Sequence, residues 1–237
     1  MRKILGAMRR GINEFNMIQE GDRIAVGLSG GKDSTALLVA LKNYQHFSPE
    51  KFELEAITLD LGFEGMDFEP LVQLCKELDV PYTIGKTQIA PIVFDTRKEK
   101  NPCSLCARMK RGALHDLAIS KGCRKIAFGH HLDDAVETFF LSLFYEGRIN
   151  TFSPVTYLDR KDITLIRPFV FVKEKDIIFN PTCQALPIIK STCPADGHTK
   201  REDIKNLIAS LRQDMPGLED RVITAIQNKD QFNLWFD

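Results

Sequence analysis

Ile24-Ala-Val-Gly-Leu-Ser-Gly-Gly-Lys-Asp-Ser-Thr-Ala-Leu-Leu-Val-Ala-Leu41 is the stretch whose reading decides the fold. Its apolar run, residues 24–28, reads as a buried parallel strand. The chain then breaks at Ser29-Gly30-Gly31 and enters a helix with apolar residues at 37, 38 and 41. Two glycines allow a tight turn and bring backbone N–H groups toward an anion, and the following helix adds the positive end of its dipole. Lys32 supplies a mobile positive charge, Ser29 and Ser34 supply hydroxyls, and Asp33 supplies a carboxylate. A carboxylate beside a phosphate cradle makes sense when a divalent cation, Mg²⁺, sits between them. The pattern is a phosphate site.

It departs from the common P-loop, which needs G-x-x-x-x-G-K-[ST]. The spacing from Gly27 to Gly31 is one residue short, and Asp33 stands where Ser or Thr should follow the lysine. An ordinary strand-to-helix turn would leave Lys32 and Asp33 unexplained. Ser29-Gly30-Gly31-Lys32-Asp33-Ser34 resembles the pyrophosphate-binding loop of the N-type ATP pyrophosphatases. That resemblance implies ATP cleavage between the α- and β-phosphates and adenylation of a substrate.

With 237 residues the chain is long enough to bury a sizeable core. Its 32 Lys+Arg balance 32 Asp+Glu, so no global field draws in nucleic acid, and any RNA contact must come from local patches. No apolar run approaches the roughly 20 residues of a membrane span. The N-terminus carries charges where a signal peptide has its apolar core, so the expected location is the cytoplasm. In that setting six cysteines point to metal or redox chemistry rather than disulfides.

The remaining periodicities describe an open α/β sheet. Residues 3–17 read as a helix with Ile4, Met8, Ile12 and Phe15 on one face. Strands are expected at 52–59, 81–84, 125–128 and 164–168. Helices are expected at 69–78, 103–120, 135–145, from 173, at 199–213 and at 217–228. The chain reads as a single unit over 1–237: an N-terminal helix over 1–20, a nucleotide-binding core over 21–170, and a helical C-terminal segment over 171–237. In open α/β sheets ligands bind beyond the carboxyl ends of the strands. Asp60 ends one strand and is placed for ribose, metal or proton-transfer work, or for capping a turn. Gly129-His130-His131-Leu132-Asp133-Asp134 follows another. Asp133 or Asp134 can cap the next helix, yet doubled His and doubled Asp exceed what one cap requires. Val136, Phe139, Phe140 and Leu143 are expected to face inward. Cys75 reads as a core residue.

Cys103 and Cys106 lie three apart in the first turn of the predicted helix, so their sulfurs share a face with Lys110 one turn further on. The helix dipole and the basic side chains at Arg108, Lys110 and Arg111 are expected to lower the thiol pKa values. With Cys193 downstream, three candidate ligands exist. Zinc with His198 as fourth ligand, an iron–sulfur cluster with one open iron, and a redox pair all remain open on spacing alone.

The assembled residues resemble one family of pyrophosphatases, the tRNA 2-thiocytidine synthetases. The resemblance rests on Phe15-Asn-Met-Ile18, Gly21-Asp-Arg23, the 29–34 loop, Cys103-x-x-Cys106 with its basic run, Gly129-His-His-x-Asp-Asp134 with Glu137-Thr138, Arg167-Pro168, and Pro187-Ile-Ile-x-x-x-Cys193. It implies an open, mostly parallel Rossmann-like sheet of the adenine nucleotide α-hydrolase type. It further implies a 4Fe–4S cluster on Cys103, Cys106 and Cys193, with ATP and Mg²⁺ as the other cofactors. Ser29 to Ser34, Asp60, Gly129, His130, Asp133 and Asp134 would surround the nucleotide, with Asp33 on the metal, and Lys110 would stabilise the adenylated intermediate. The implied partners are tRNA and a cysteine desulfurase or other sulfur donor, and the implied assembly is a homodimer. The segment after Cys193, Pro194-Ala-Asp-Gly-His198, departs from the family, and Cys183 is a core residue or a stand-in ligand. Arg108, Lys110 and Arg111, then Lys121, Arg124 and Lys125, are the expected phosphate-contact patches.

Overall fold

The computed structural model describes residues 1–97, 102–190, 192–194, 200–228 and 230. His198 therefore lies outside the described residues. Six strands form one sheet: β1 (Arg23–Gly27), β2 (Glu53–Asp60), β3 (Tyr82–Lys86), β4 (Lys125–Ala127), β5 (Val155–Leu158) and β6 (Ile163–Ile166), in the order β3-β2-β1-β4-β6-β5. All neighbours run parallel except β5 and β6, which pair antiparallel. The strand order reverses between β1 and β4, and that switch point is where such sheets open a crevice at their carboxyl edge.

Alternation along β1 builds two cores. Ile24 and Val26 point to one face, where they meet Leu37, Leu38 and Leu41 of α2 (Lys32–Gln45) and Ile4, Met8 and Ile12 of α1 (Arg2–Glu14). Ala25 points to the other, against Leu114 and Ala118 of α4 (Pro102–Ser120), with Ile57, Ile126 and Leu165. Each fully buried Leu or Ile contributes about 1.5–3 kcal/mol relative to exposure, which makes these stripes the main force seating the helices.

The remaining helices are α3 (Glu69–Glu77), α5 (Leu132–Leu141), α6 (Glu174–Ile178), α7 (Pro181–Gln184), α8 (Lys200–Asp214) and α9 (Leu218–Gln227). Among the described residues, no helix is long and apolar enough to cross a membrane. Helices α8 and α9 pack back onto α5.

Three sequence expectations change. The edge strand β5 and the single-turn α7 were not foreseen; β5 lies at the sheet edge with no buried residue, unlike the equally short β6, so it carries no core-facing run to read. Helix α5 loosens into a π turn over Ser142–Glu146, and this carries Leu143, expected inside, to the surface. The Lys121, Arg124 and Lys125 patch lies at the amino end of β4, the opposite edge from the phosphate loop. Lys125 is there tied to Asp22 at 2.6 Å, and Arg124 pairs with Asp162 at 3.5 Å. Lys125 is thereby tied into the fold, and the patch does not face the crevice.

Candidate nucleotide and thiol site

The loop between β1 and α2 is folded on itself by its own hydroxyls. Ser29 N–H donates to Ser34 Oγ at 3.2 Å, and Gly31 N–H to Ser29 Oγ at 3.4 Å. Thr35 Oγ1 donates to Gly31 O at 3.0 Å. Gly31 is the N-cap of α2, so the first-turn N–H groups of that helix face the crevice side of the loop without helical carbonyls behind them. Gly30 has φ +83°, a left-handed conformation that favours glycine. Of the two loop glycines, Gly30 makes the tight turn, while Gly31 has an ordinary extended backbone.

Lys32 is engaged on both sides. Its Nζ lies 2.8 Å from Asp33 Oδ2 and 3.0 Å from Glu174 Oε1. Burial acts to lower the Lys32 pKa, but the two carboxylates outweigh it and raise it. Glu174, at the start of α6, also accepts from Lys205 of α8 at 2.9 Å. Burial pushes the Glu174 carboxyl up, and the two lysines overcome this, holding it at about 2. Glu174 is a residue the sequence reading did not single out. A lone glutamate opening a short helix gives no signal by itself.

The segment after β4 sits against the loop. A Cβ on Gly129 would lie 2.9 Å from the carbonyl carbon and oxygen of Asp33, so this glycine is required by close backbone approach. His131 caps α5: its Nδ1 accepts from Asp134 N–H at 3.3 Å, and Asp134 Oδ2 accepts from His131 N–H at 2.9 Å. Asp134 Oδ1 also pairs with Arg201 at 2.9 Å. Asp133 accepts from Glu174 N–H at 2.7 Å and from Arg212 at 2.8 Å. Both aspartates are therefore committed to a cap and to α8, and the doubled acids are explained by two tasks. Arg201, Lys205 and Arg212, spaced along one helix, were the legible half of this network and went unread.

His130 packs between Phe128 (5.7 Å) and Phe152 (5.3 Å) in tilted ring contacts, with the Arg167 guanidinium 5.0 Å above the Phe152 ring. Burial holds His130 down at about 4, so the imidazole is neutral. Its Nδ1 and Arg167 Nε are buried without a hydrogen-bond partner in the described structure. Asp60 ends β2, and its Oδ1 accepts from Gly62 N–H at 2.9 Å, so the turn-capping option is realised.

Cys103 is exposed and Cys106 buried in the first turn of α4. The expected lowering of the thiol pKa is corrected at Cys106. Burial raises it, Lys110 opposes, and the neighbouring Cys193 and Cys103 raise it further. Cys193, far downstream, is thus brought within electrostatic reach of Cys106. Among the described residues, no three His, Cys, Asp or Glu side chains already stand close enough to hold a metal ion. Cys183 is buried in the main core within electrostatic reach of Asp33, and Cys75 is buried on the inner face of α3. Arg108, Lys110 and Arg111 lie exposed along α4.

A family model described as the PP-loop domain matches residues 5–207. The tRNA-cytidine(32) 2-sulfurtransferase of Geobacter sulfurreducens is 36% identical over 230 residues, covering 96% of this chain and 90% of that protein. The protein of the same name from Syntrophotalea carbinolica is 38% identical, covering 96% and 89%. Among solved structures, the U34-tRNA thiolase NcsA from Methanococcus maripaludis with its 4Fe–4S cluster superposes with TM-score 0.76. Its identity is 23%, over 94% of this chain and 77% of that one, a likeness of fold.

Proposed function

The chain belongs to the tRNA-cytidine(32) 2-sulfurtransferase family of PP-loop proteins, and from that premise we propose that it is an ATP-dependent tRNA sulfurtransferase. The reaction replaces the C2 oxygen of an anticodon-loop cytidine with sulfur. The observation that supports this reading is that Cys193 comes within electrostatic reach of Cys106, while the segment just before it bonds to Gly30 of the phosphate loop.

A base carbonyl oxygen is a poor leaving group, and ATP converts it to an adenylate with release of pyrophosphate. The loop backbone and Lys32, once phosphate draws its ammonium from Glu174, offset the charge that builds on the departing pyrophosphate. Asp33 would hold Mg²⁺, which shields the same charge. Lys110, on the α4 face carrying the thiols, would stabilise the adenylated base. AMP leaves when sulfur takes the oxygen's place.

The donor set fits an iron–sulfur cluster: three soft thiols, two from one helical turn and one from a downstream segment. Cys103, Cys106 and Cys193 would hold a 4Fe–4S cluster with one iron open, and the cluster would supply the sulfur-bearing site. Exposed Arg108, Lys110 and Arg111 form the patch we assign to tRNA phosphate. A separate sulfur donor of the cysteine desulfurase kind and a homodimeric active unit, implied by the family resemblance, complete the proposal.

The test is iron, zinc and acid-labile sulfide content after anaerobic purification of wild type and Cys193→Ala, followed by tRNA thiolation. About four irons and four sulfides per chain, lost in the variant, are expected. Zinc alone would make the cysteine site structural. No metal in either protein, with ATP still consumed, would point to a cluster-free ligase.

A further inference from the structure

The segment that delivers Cys193 does not hang free of the nucleotide loop. Ile189 N–H donates to Gly30 O at 2.9 Å. The Ile189 side chain covers the Cα face of Gly30 so closely that a Cβ there would lie 2.9 Å from Ile189 Cβ. Residues 187–190 follow α7 without regular secondary structure, with Ile189 packed on the core and Ile188 and Lys190 exposed. The loop's own hydroxyls hold Ser29 and Gly31 on either side of Gly30, and Gly30 itself is held by a residue four positions before a thiol. Loop and thiol segment share a backbone hydrogen bond and a contact with no slack.

We infer that Ile189 is a positioning residue, coupling phosphate binding in the 29–34 loop to the placement of Cys193 beside Cys106. The loop must adjust when pyrophosphate oxygens take its N–H groups and Lys32 leaves Glu174. Gly30 O moves with it, and the hydrogen bond passes that shift to the thiol segment. The thiol site would then be completed when ATP is in place, so sulfur chemistry is not offered without an activated base. This inference rests on the proposed reading of the thiols, and its test separates the two.

Metal-free protein is kept reduced and anaerobic, and the alkylation rate of Cys193 is followed by peptide mass spectrometry with and without Mg²⁺–ATP. Nucleotide binding is measured in parallel by equilibrium dialysis. ATP is expected to slow Cys193 alkylation by about fivefold, the lower end of usual site-to-site coupling. In Ile189→Pro, which deletes the donor, ATP should still bind and the slowing should disappear. Ile189→Val should restore it. Ile189→Gly keeps the donor but uncovers Gly30, and serves if the proline variant does not fold; its response should shrink. An unchanged or faster rate in wild type with ATP bound overturns the inference, as does a full response in both Ile189→Pro and Ile189→Gly. Failure of tRNA thiolation with the coupling intact would instead refute the proposed function.

Discussion

Lys32 Nζ lies 3.0 Å from Glu174 Oε1, so the cation of the phosphate loop is held by a carboxylate that opens α6, far away in the chain. Lys205 shares that carboxylate. Lys32→Ala should therefore leave Glu174 paired and the fold largely intact, at a cost of about 1 kcal/mol. Pyrophosphate release should fall by roughly 10²–10³, the usual loss of one preorganised charge-stabilising group. Turnover within threefold of wild type would remove Lys32 from the machinery.

Gly129→Ala places a methyl group 2.9 Å from the Asp33 backbone, where no side chain can swing away. Helix α2 or the β4 loop must shift. A loss of about 1–3 kcal/mol in urea unfolding is expected, with weaker ATP binding. An unaltered melt with normal ATP affinity would show that the approach relaxes without cost.

Arg201 joins Asp134, Glu137 and Thr138 across the α5–α8 contact. Glu137 is buried, and burial raises its pKa against the pull of Arg201 and Lys205. Arg201→Ala should cost about 1–3 kcal/mol, because it strips a partner from a buried carboxylate. Double-mutant cycles with Glu137→Gln should recover part of that loss; strict additivity would argue against the pairing.

Acid should destabilise the protein over two successive pH windows. His130, at about 4 when folded, takes its proton first in the unfolded chain, so stability is complete above about 6.5 and drains as the pH falls toward 4. Glu174, depressed to about 2 from 4.5, contributes stability that is present above 4.5 and lost as pH falls toward 2. Urea midpoints measured across this range should slope less between pH 6.5 and 4 in His130→Gln, and less below 4.5 in Glu174→Gln. Wild-type slopes in both variants would contradict these assignments.

Cys183 is buried and lies near Asp33 rather than among the other thiols. Cys183→Ala should keep its iron and sulfide while losing about 1 kcal/mol to the small cavity left behind. Iron loss comparable to that in Cys193→Ala would make Cys183 a ligand.

The 24–41 stretch was readable because its signals are local: an apolar strand, glycines at the turn, and a helical stripe. The same holds for α1, α3, α4, α8 and α9, whose expected limits fall within a few residues of those observed. The aspartates of the 129–134 motif were legible as unusual, but their partners were not. Arg201 and Arg212 meet them only because α8 packs on α5. The thiol pKa at Cys106 went the other way because spacing cannot report burial.

By itself, then, the sequence determined the phosphate loop, the order of the strands other than β5 and of the helices other than α7, and which cysteines are candidates for one task. Each of these is set by residue type and short-range period. Tertiary structure alone decided that Lys32 rests on Glu174, that Gly129 touches Asp33, and that Ile189 bonds to Gly30. Those contacts join positions far apart in the chain, and their geometry follows from how the sheet closes and how the last helices fold back across it. No local preference encodes a distance of that kind.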